Sequence, residues 1–212
     1  METVLIDYGA GNLHSVYKAL QKAGFDVLMT SEPRDAANAD ALVLPGQGHF
    51  RQVMESFKGS GFEEVVRSHL AEKKPFLGIC VGLQLLMESS EEAPGVPGLG
   101  AIKGTVKRFP DVESVPQMGW NQLQKHHHPE LLQGVPDGAF VYYANSYYVT
   151  FDDETLPGAT TTYSGITFKS AVSNGPLNAT QFHPEKSQSV GLQVLENFRR
   201  IAESHVNARL AK

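Results

Sequence analysis

The chain has 212 residues, with 18 Lys plus Arg against 23 Asp plus Glu for a formal net charge of -5, and a single cysteine, Cys80. That length supplies one domain, or a tightly fused pair, that stands without staples, and one cysteine excludes both an internal disulfide and a Cys-based zinc or iron–sulfur site. The acidic balance argues against bulk nucleic-acid binding, which needs a basic face, and no apolar run approaches the ~20 residues of a membrane span.

The N-terminal run METVLIDYGAGN enters a strand-like segment directly and carries no signal-peptide pattern, so a cytoplasmic location is expected. Residues 3–7 (TVLID) read as a buried strand stopped by Tyr8-Gly9-Ala10-Gly11. Asn12 is placed to N-cap a helix whose apolar positions are Leu13, Val16, Tyr17 and Leu20, ended by Gly24. Strands are predicted over 25–29, over 40–44 before Pro45-Gly46-Gln47-Gly48, and over 75–79, with helical material through 49–72 and a helical turn from Leu83 to Met87. Strands alternating with helices at this spacing predict βαβ units and a parallel sheet.

The texture changes near residue 90. A Gly/Pro-rich loop over 91–100 leads into β-like runs at 101–109, 117–123, 139–150, 158–163, 166–172 and 178–182, which predict antiparallel or mixed sheet built onto the parallel core. A last amphipathic helix spans about 188–208, with Leu192, Leu195, Phe198 and Ile201 on one face.

Cys80 lies in Gly78-Ile79-Cys80-Val81-Gly82, after a strand and before a helix. This is the thiol version of the Gly-x-Ser-x-Gly elbow, in which a strained turn exposes the nucleophile and glycines let neighbouring backbone pass close by. A helix N-terminus beyond it would favour the thiolate and offer N–H groups to an oxyanion. The pattern alone leaves open an inert buried cysteine.

A cysteine nucleophile needs a base, and the base needs an orienter. His183 and Glu185, in Gln181-Phe182-His183-Pro184-Glu185, fall on one side of an extended segment, where the carboxylate can hold one imidazole nitrogen. The same three letters recur at His128-Pro129-Glu130, in a run (LQKHHHPELLQG) that reads as a solvated polar loop with no strand before it. The Pro45–Gly48 turn is a candidate for oxyanion N–H groups. Gly9-Ala10-Gly11, with Glu32 downstream, only partly matches a dinucleotide fingerprint, because His14 replaces the third glycine. Trp120, the only tryptophan, fits either a core position or an interface anchor.

The run from Gly78 to Leu86 resembles the nucleophile motif of the class I glutamine amidotransferases, and Gln181–Glu185 resembles their His/Glu motif. Ile6–Leu13, the Pro45-Gly46-x-Gly48 turn, Val115–Asn121 and His183–Ser187 together resemble the branch of that family that supplies ammonia to a cyclase in histidine biosynthesis. The likeness runs from about residue 3 to residue 201. It implies a three-layer α/β/α, flavodoxin-like fold over residues 1–212 as one domain, with a mostly parallel central sheet and added antiparallel strands. It implies a triad of Cys80, His183 and Glu185, and oxyanion donors from Gly46, Gln47, Gly48 and Val81. L-Glutamine would be gripped by Gln84, Asn145, Ser146 and Tyr147, with no cofactor and no metal. It further implies a heterodimer with a (β/α)8-barrel cyclase subunit facing Asn12, Met118, Gly119, Trp120, Asn121, Tyr142 and Lys186. The chain departs from the family pattern at Gln47, where Val is common, at Asn145, where His is common, and at Ala179, where Gly is common. Another amidotransferase subunit would share the triad but not the Trp120 segment. A non-catalytic scaffold is disfavoured by the intact triad residue types, and a thiol hydrolase of other γ-glutamyl substrates should work without a partner.

Overall fold

The computed structural model describes residues 1–110 and 114–211. The chain opens as β1 (Thr3–Ile6), α1 (Leu13–Lys22), β2 (Val27–Thr30), a short α2 (Pro33–Ala36) and β3 (Ala41–Gly46). It continues through α3 (Phe50–Gly59), α4 (Phe62–Ala71), β4 (Phe76–Cys80) and α5 (Val81–Leu85). The second half brings β5 (Ser89–Ser90), β6 (Gly104–Arg108), β7 (Gln117–Gln122), β8 (Gln124–His126), β9 (Phe140–Asn145) and β10 (Tyr147–Phe151). It ends with β11 (Gly158–Tyr163), β12 (Ile166–Asn174), β13 (Leu177–Thr180) and α6 (Gln188–Leu210).

The strands β2-β1-β3-β4-β13 lie side by side and all parallel. They are short and apolar because both faces are covered: Val4, Leu5, Ile6, Leu42, Val43, Leu44, Phe76 and Leu77 are fully buried. On one face α1 packs with α6, and Phe25 meets Phe198 at 5.9 Å between ring centroids. On the other face lie α2, α3, α4 and α5. The three layers and the mostly parallel sheet are those the sequence predicts. Beyond β13 the sheet turns antiparallel through β12, β10 and β6, with β11 and β8 stacked outside β12. β7 and β9 form a separate antiparallel ribbon.

Several boundaries differ from the pattern reading. The helical stretch 49–72 is two helices, broken at Ser60-Gly61, where Gly61 takes φ +81°. The run 139–150 is two strands with Ser146 at the corner, and the strand expected over 40–44 continues through Pro45 and Gly46 because it pairs with Ile79 and Cys80. The His-rich run is not simply a loop without a strand. Gln124–His126 pairs antiparallel with Gly158–Thr160, and His126 Nε2 lies 2.7 Å from Thr160 Oγ1. Leu131 and Leu132, in a 3-10 turn just beyond, are fully buried. Long-range pairing decided this segment, and its local composition carried no sign of it. On α6 the buried positions include Val194, Leu195, Phe198 and Ala202, while Leu192 and Ile201 sit half-buried at the margin. Asn12 does hold the N-cap position of α1, but its side chain makes no capping hydrogen bond.

Candidate active site

Cys80 is the last residue of β4 and the residue before α5, with φ 55° and ψ -108°. A non-glycine residue holds so unfavourable a backbone only where its surroundings impose it. The surroundings here are glycines under compression. A Cβ on Gly82 would lie 2.1 Å from the Leu44 carbonyl oxygen, and one on Gly78 would lie 2.8 Å from the Gly82 carbonyl oxygen. The elbow therefore closes onto β3 only because both positions lack side chains. Gly46 pairs in register with Cys80, and a Cβ there would sit 2.7 Å from that of Val81.

His183 follows β13, the strand next to β4, so sheet order alone brings the second motif beside the first. Its position is tied down on all sides. The His183 N–H donates to the Tyr142 carbonyl at 2.9 Å, the Ser187 hydroxyl donates to the His183 carbonyl at 2.7 Å, and the Tyr142 N–H donates to that hydroxyl at 2.9 Å. His183 Nδ1 lies 2.8 Å from Glu185 Oε1, and the two side chains are 6% and 1% exposed. The other ring nitrogen is left open, and Cys80 lies near enough for its charge to act on the imidazole. Burial by itself lowers the His183 pKa, but Cys80, and then Glu185, outweigh it and raise the pKa to about 10. Glu185 Oε2 is buried without a partner among the described residues.

A pocket of about 250 Å³ includes Cys80. Gln47 and Gly48 line it from the turn after β3, Val81 and Gln84 from α5, and Ala144, Asn145, Ser146 and Tyr147 from the β9–β10 corner. Gln84 Nε2 donates to the Tyr147 carbonyl at 3.3 Å and to Gln181 Oε1 at 3.2 Å, while Gln181 Nε2 lies 3.7 Å from Cys80 Sγ. Asn145 Nδ2 donates to the same Tyr147 carbonyl at 2.9 Å, leaving Oδ1 buried and without a partner among the described residues. Pro116 and Glu92 complete the wall. Sequence reasoning missed Glu92, Gln181 and Ser187 as site residues. Gln181 lay inside a motif already singled out, whereas Glu92 sits in a Gly/Pro-rich loop with nothing local to mark it.

His128 lies elsewhere. With Lys125, His127, Glu130 and Arg200 it lines a separate cleft of about 870 Å³ that none of Cys80, His183 and Glu185 lines. Among the described residues no group of three or more His, Cys, Asp or Glu could hold a metal ion, and no helix is long and apolar enough to cross a membrane.

The residues singled out as partner-facing divide between the two sides of β7. Met118 and Trp120 are 69% and 46% exposed, and Phe140 on the paired strand β9 is 53% exposed. Tyr142, opposite Trp120, meets its ring edge-on at 6.0 Å, and Lys186 Nζ lies 5.6 Å from the Tyr142 ring centroid. Asn121 falls on the other face by the period of two, and its side chain donates to the Thr162 carbonyl at 2.9 Å. Asn12 is half-buried.

The sequence model of the family described as glutamine amidotransferase class-I matches residues 4–201. Curated relatives include the imidazole glycerol phosphate synthase subunit HisH of Deinococcus radiodurans, 52% identical over 201 residues, which covers 94% of this chain and 93% of the relative. The protein of the same name from Thermus thermophilus is 50% identical over 210 residues, covering 96% of this chain and 99% of its own length. Among solved structures, a glutamine amidotransferase superposes with a TM-score of 0.73 at 19% identity, covering 94% of this chain and 98% of that one. PurLQS from Thermotoga maritima superposes with a TM-score of 0.71 at 14% identity, covering 97% and 98%. At those identities the two structures speak to the fold alone.

Proposed function

The chain belongs to the class I glutamine amidotransferase family, and on that footing we propose that it is the glutaminase subunit of an imidazole glycerol phosphate synthase, working through Cys80, His183 and Glu185. The observation that carries the catalytic part is the 2.8 Å pair of His183 and Glu185, which follows the strand beside β4, whose last residue Cys80 lines a pocket.

The Cys80 sulfur attacks the side-chain amide carbon of glutamine. The carbonyl oxygen becomes an oxyanion, held by backbone N–H groups of the Gly46–Gly48 turn and of Val81. His183, protonated as the thiol proton passes to it, gives its proton to the departing nitrogen, and ammonia leaves behind a γ-glutamyl thioester. The now neutral His183 takes a proton from water as it attacks the thioester, so that glutamate departs and the sulfur is restored. The balance is glutamine plus water to glutamate plus ammonia. Glu185 keeps the imidazole in one orientation throughout and stabilises its charge. Gln84 and the Asn145-Ser146-Tyr147 corner hold the amino-acid end of the substrate.

Ammonia released into water is protonated and lost, so a docked synthase subunit is chemically sensible. The apolar ribbon of Met118, Trp120 and Phe140, with Tyr142 and Lys186 beside it, supports a partner on that face. We assign the partner as a (β/α)8-barrel cyclase subunit that spends the ammonia in making imidazole glycerol phosphate and an aminoimidazole carboxamide ribotide.

The test is Cys80→Ala in the reconstituted complex. Glutamine-dependent synthesis should vanish while synthesis from added ammonium salt persists. Retention of glutamine use would sink the thiol mechanism, and failure of any matching cyclase subunit to turn over beside the wild-type chain would sink the partner assignment.

A further inference from the structure

The mechanism above leaves the buried phenol of Tyr8 unused. Tyr8, in the loop after β1, is 4% exposed, and its hydroxyl donates to the Pro45 carbonyl at 2.8 Å. Its ring meets Phe57 edge-on, 5.8 Å between centroids at 84°, so the hydroxyl is aimed by packing. Burial, and then the nearby Cys80, push the phenol pKa well above its ordinary value, so it remains a protonated donor.

Pro45 opens the turn that carries the oxyanion donors. Its carbonyl and the Gly46 N–H belong to one rigid peptide plane, so pinning the oxygen also fixes the direction of that N–H. Gly46 has no spare room, lying against Val81 and Gly82. The far end of the turn is anchored too, where the Phe50 N–H donates to Glu92 Oε2 at 2.8 Å. Between these two anchors the N–H groups of Gln47 and Gly48 make no backbone hydrogen bond within the protein among the described residues. Donors that are free yet held in place are what stabilise a developing oxyanion without reorganisation.

We propose that Tyr8 is a positioning residue for the oxyanion turn: by holding the Pro45 carbonyl, its hydroxyl fixes the peptide orientation of the turn facing Cys80, and it acts on the chemical step rather than on glutamine binding. The inference rests on the reading of Gly46–Gly48 as the oxyanion site.

Tyr8→Phe tests it, because it removes one oxygen and keeps the ring on Phe57. Losing an oxyanion donor outright costs about 10²–10³ in kcat, so loosening the turn that carries it should lower kcat for glutamine roughly tenfold. In the complex with the cyclase subunit KM should stay nearly constant, ammonia-dependent synthesis should be unchanged, and the Gly46 amide should exchange its hydrogen faster. An unchanged kcat overturns the proposal, as does a loss expressed in KM alone. A drop in thermal stability with kcat intact would make the hydroxyl a structural tether and equally overturns it. Cys80→Ala run alongside separates the two levels. If that variant still hydrolyses glutamine, the glutaminase mechanism itself has failed, whatever Tyr8→Phe does.

Discussion

Glu185 Oε1 stands 2.8 Å from His183 Nδ1 with its side chain almost wholly out of solvent. A carboxylate so buried is costly unless it is paired, and here the pair is also what holds the imidazole in one orientation. Glu185→Gln keeps the shape and removes the charge. It should lower kcat for glutamine by up to about 10⁴, the loss that neutralising the orienting carboxylate costs a triad. Steady-state kinetics with the cyclase subunit present checks this, and a loss under threefold would mean that His183 is oriented by its backbone contacts alone.

The His183 pKa, raised to about 10 from the ordinary 6.5, has a consequence for stability. A group whose pKa is higher folded than unfolded contributes stability that is complete below its unfolded value and is lost as pH rises through its folded one. Wild-type protein should therefore lose its advantage over His183→Gln between about pH 6.5 and pH 10. Urea midpoints of both proteins at pH 6, 8 and 10 measure it, and a gap that widens with pH would contradict the ion-pair account.

The two His-Pro-Glu runs give a direct contrast. His128→Ala should leave glutamine turnover nearly unchanged, because His128 lines a cleft apart from Cys80. His183→Ala should lose at least about 10²-fold in kcat, as removal of a general acid–base group does. Comparable losses at both positions would mean that the catalytic histidine has been misassigned.

Gly82 offers a test of the elbow itself. Gly82→Ala would place a methyl 2.1 Å from the Leu44 carbonyl oxygen, which is backbone of a buried central strand and cannot swing aside. Overpacking of this kind costs about 1–3 kcal/mol. In a domain of this size each kcal/mol shifts Tm by roughly 2–4 °C. The melting temperature should fall and Cys80 should lose reactivity toward an electrophilic glutamine analogue. A variant with wild-type Tm and labelling rate would show that the backbone contact is not limiting.

Trp120 is 46% exposed and rests on Tyr142. Trp120→Ala should leave the isolated chain's melting temperature within a degree or so, since exposed substitutions stay near ±0.5 kcal/mol. A central aromatic anchor contributes at least about 2 kcal/mol to an interface, or some 30-fold in Kd. Titration against the cyclase subunit reads this out, and unchanged affinity would move the interface away from β7 and β9.

Local sequence determined a good deal here. Apolar runs as short as VLI at β1 and LVL at β3 declared strands covered on both faces, because side chains buried on both sides have no polar face to alternate with. The elbow was legible because a strained turn between strand and helix needs glycines at set offsets from the nucleophile. The pair His183 and Glu185 was legible because two residues apart on extended chain share a side. Tertiary structure alone decided that β13 inserts beside β4 and so delivers His183 to Cys80, that Gln124–His126 becomes a strand, and that Tyr8 and Glu92 anchor the two ends of one turn. Each of those depends on groups brought together from distant parts of the chain. Periodicity and turn chemistry act over a few neighbours, whereas which strand edges and which hydrogen-bonding atoms finally meet is settled when the whole core is buried at once.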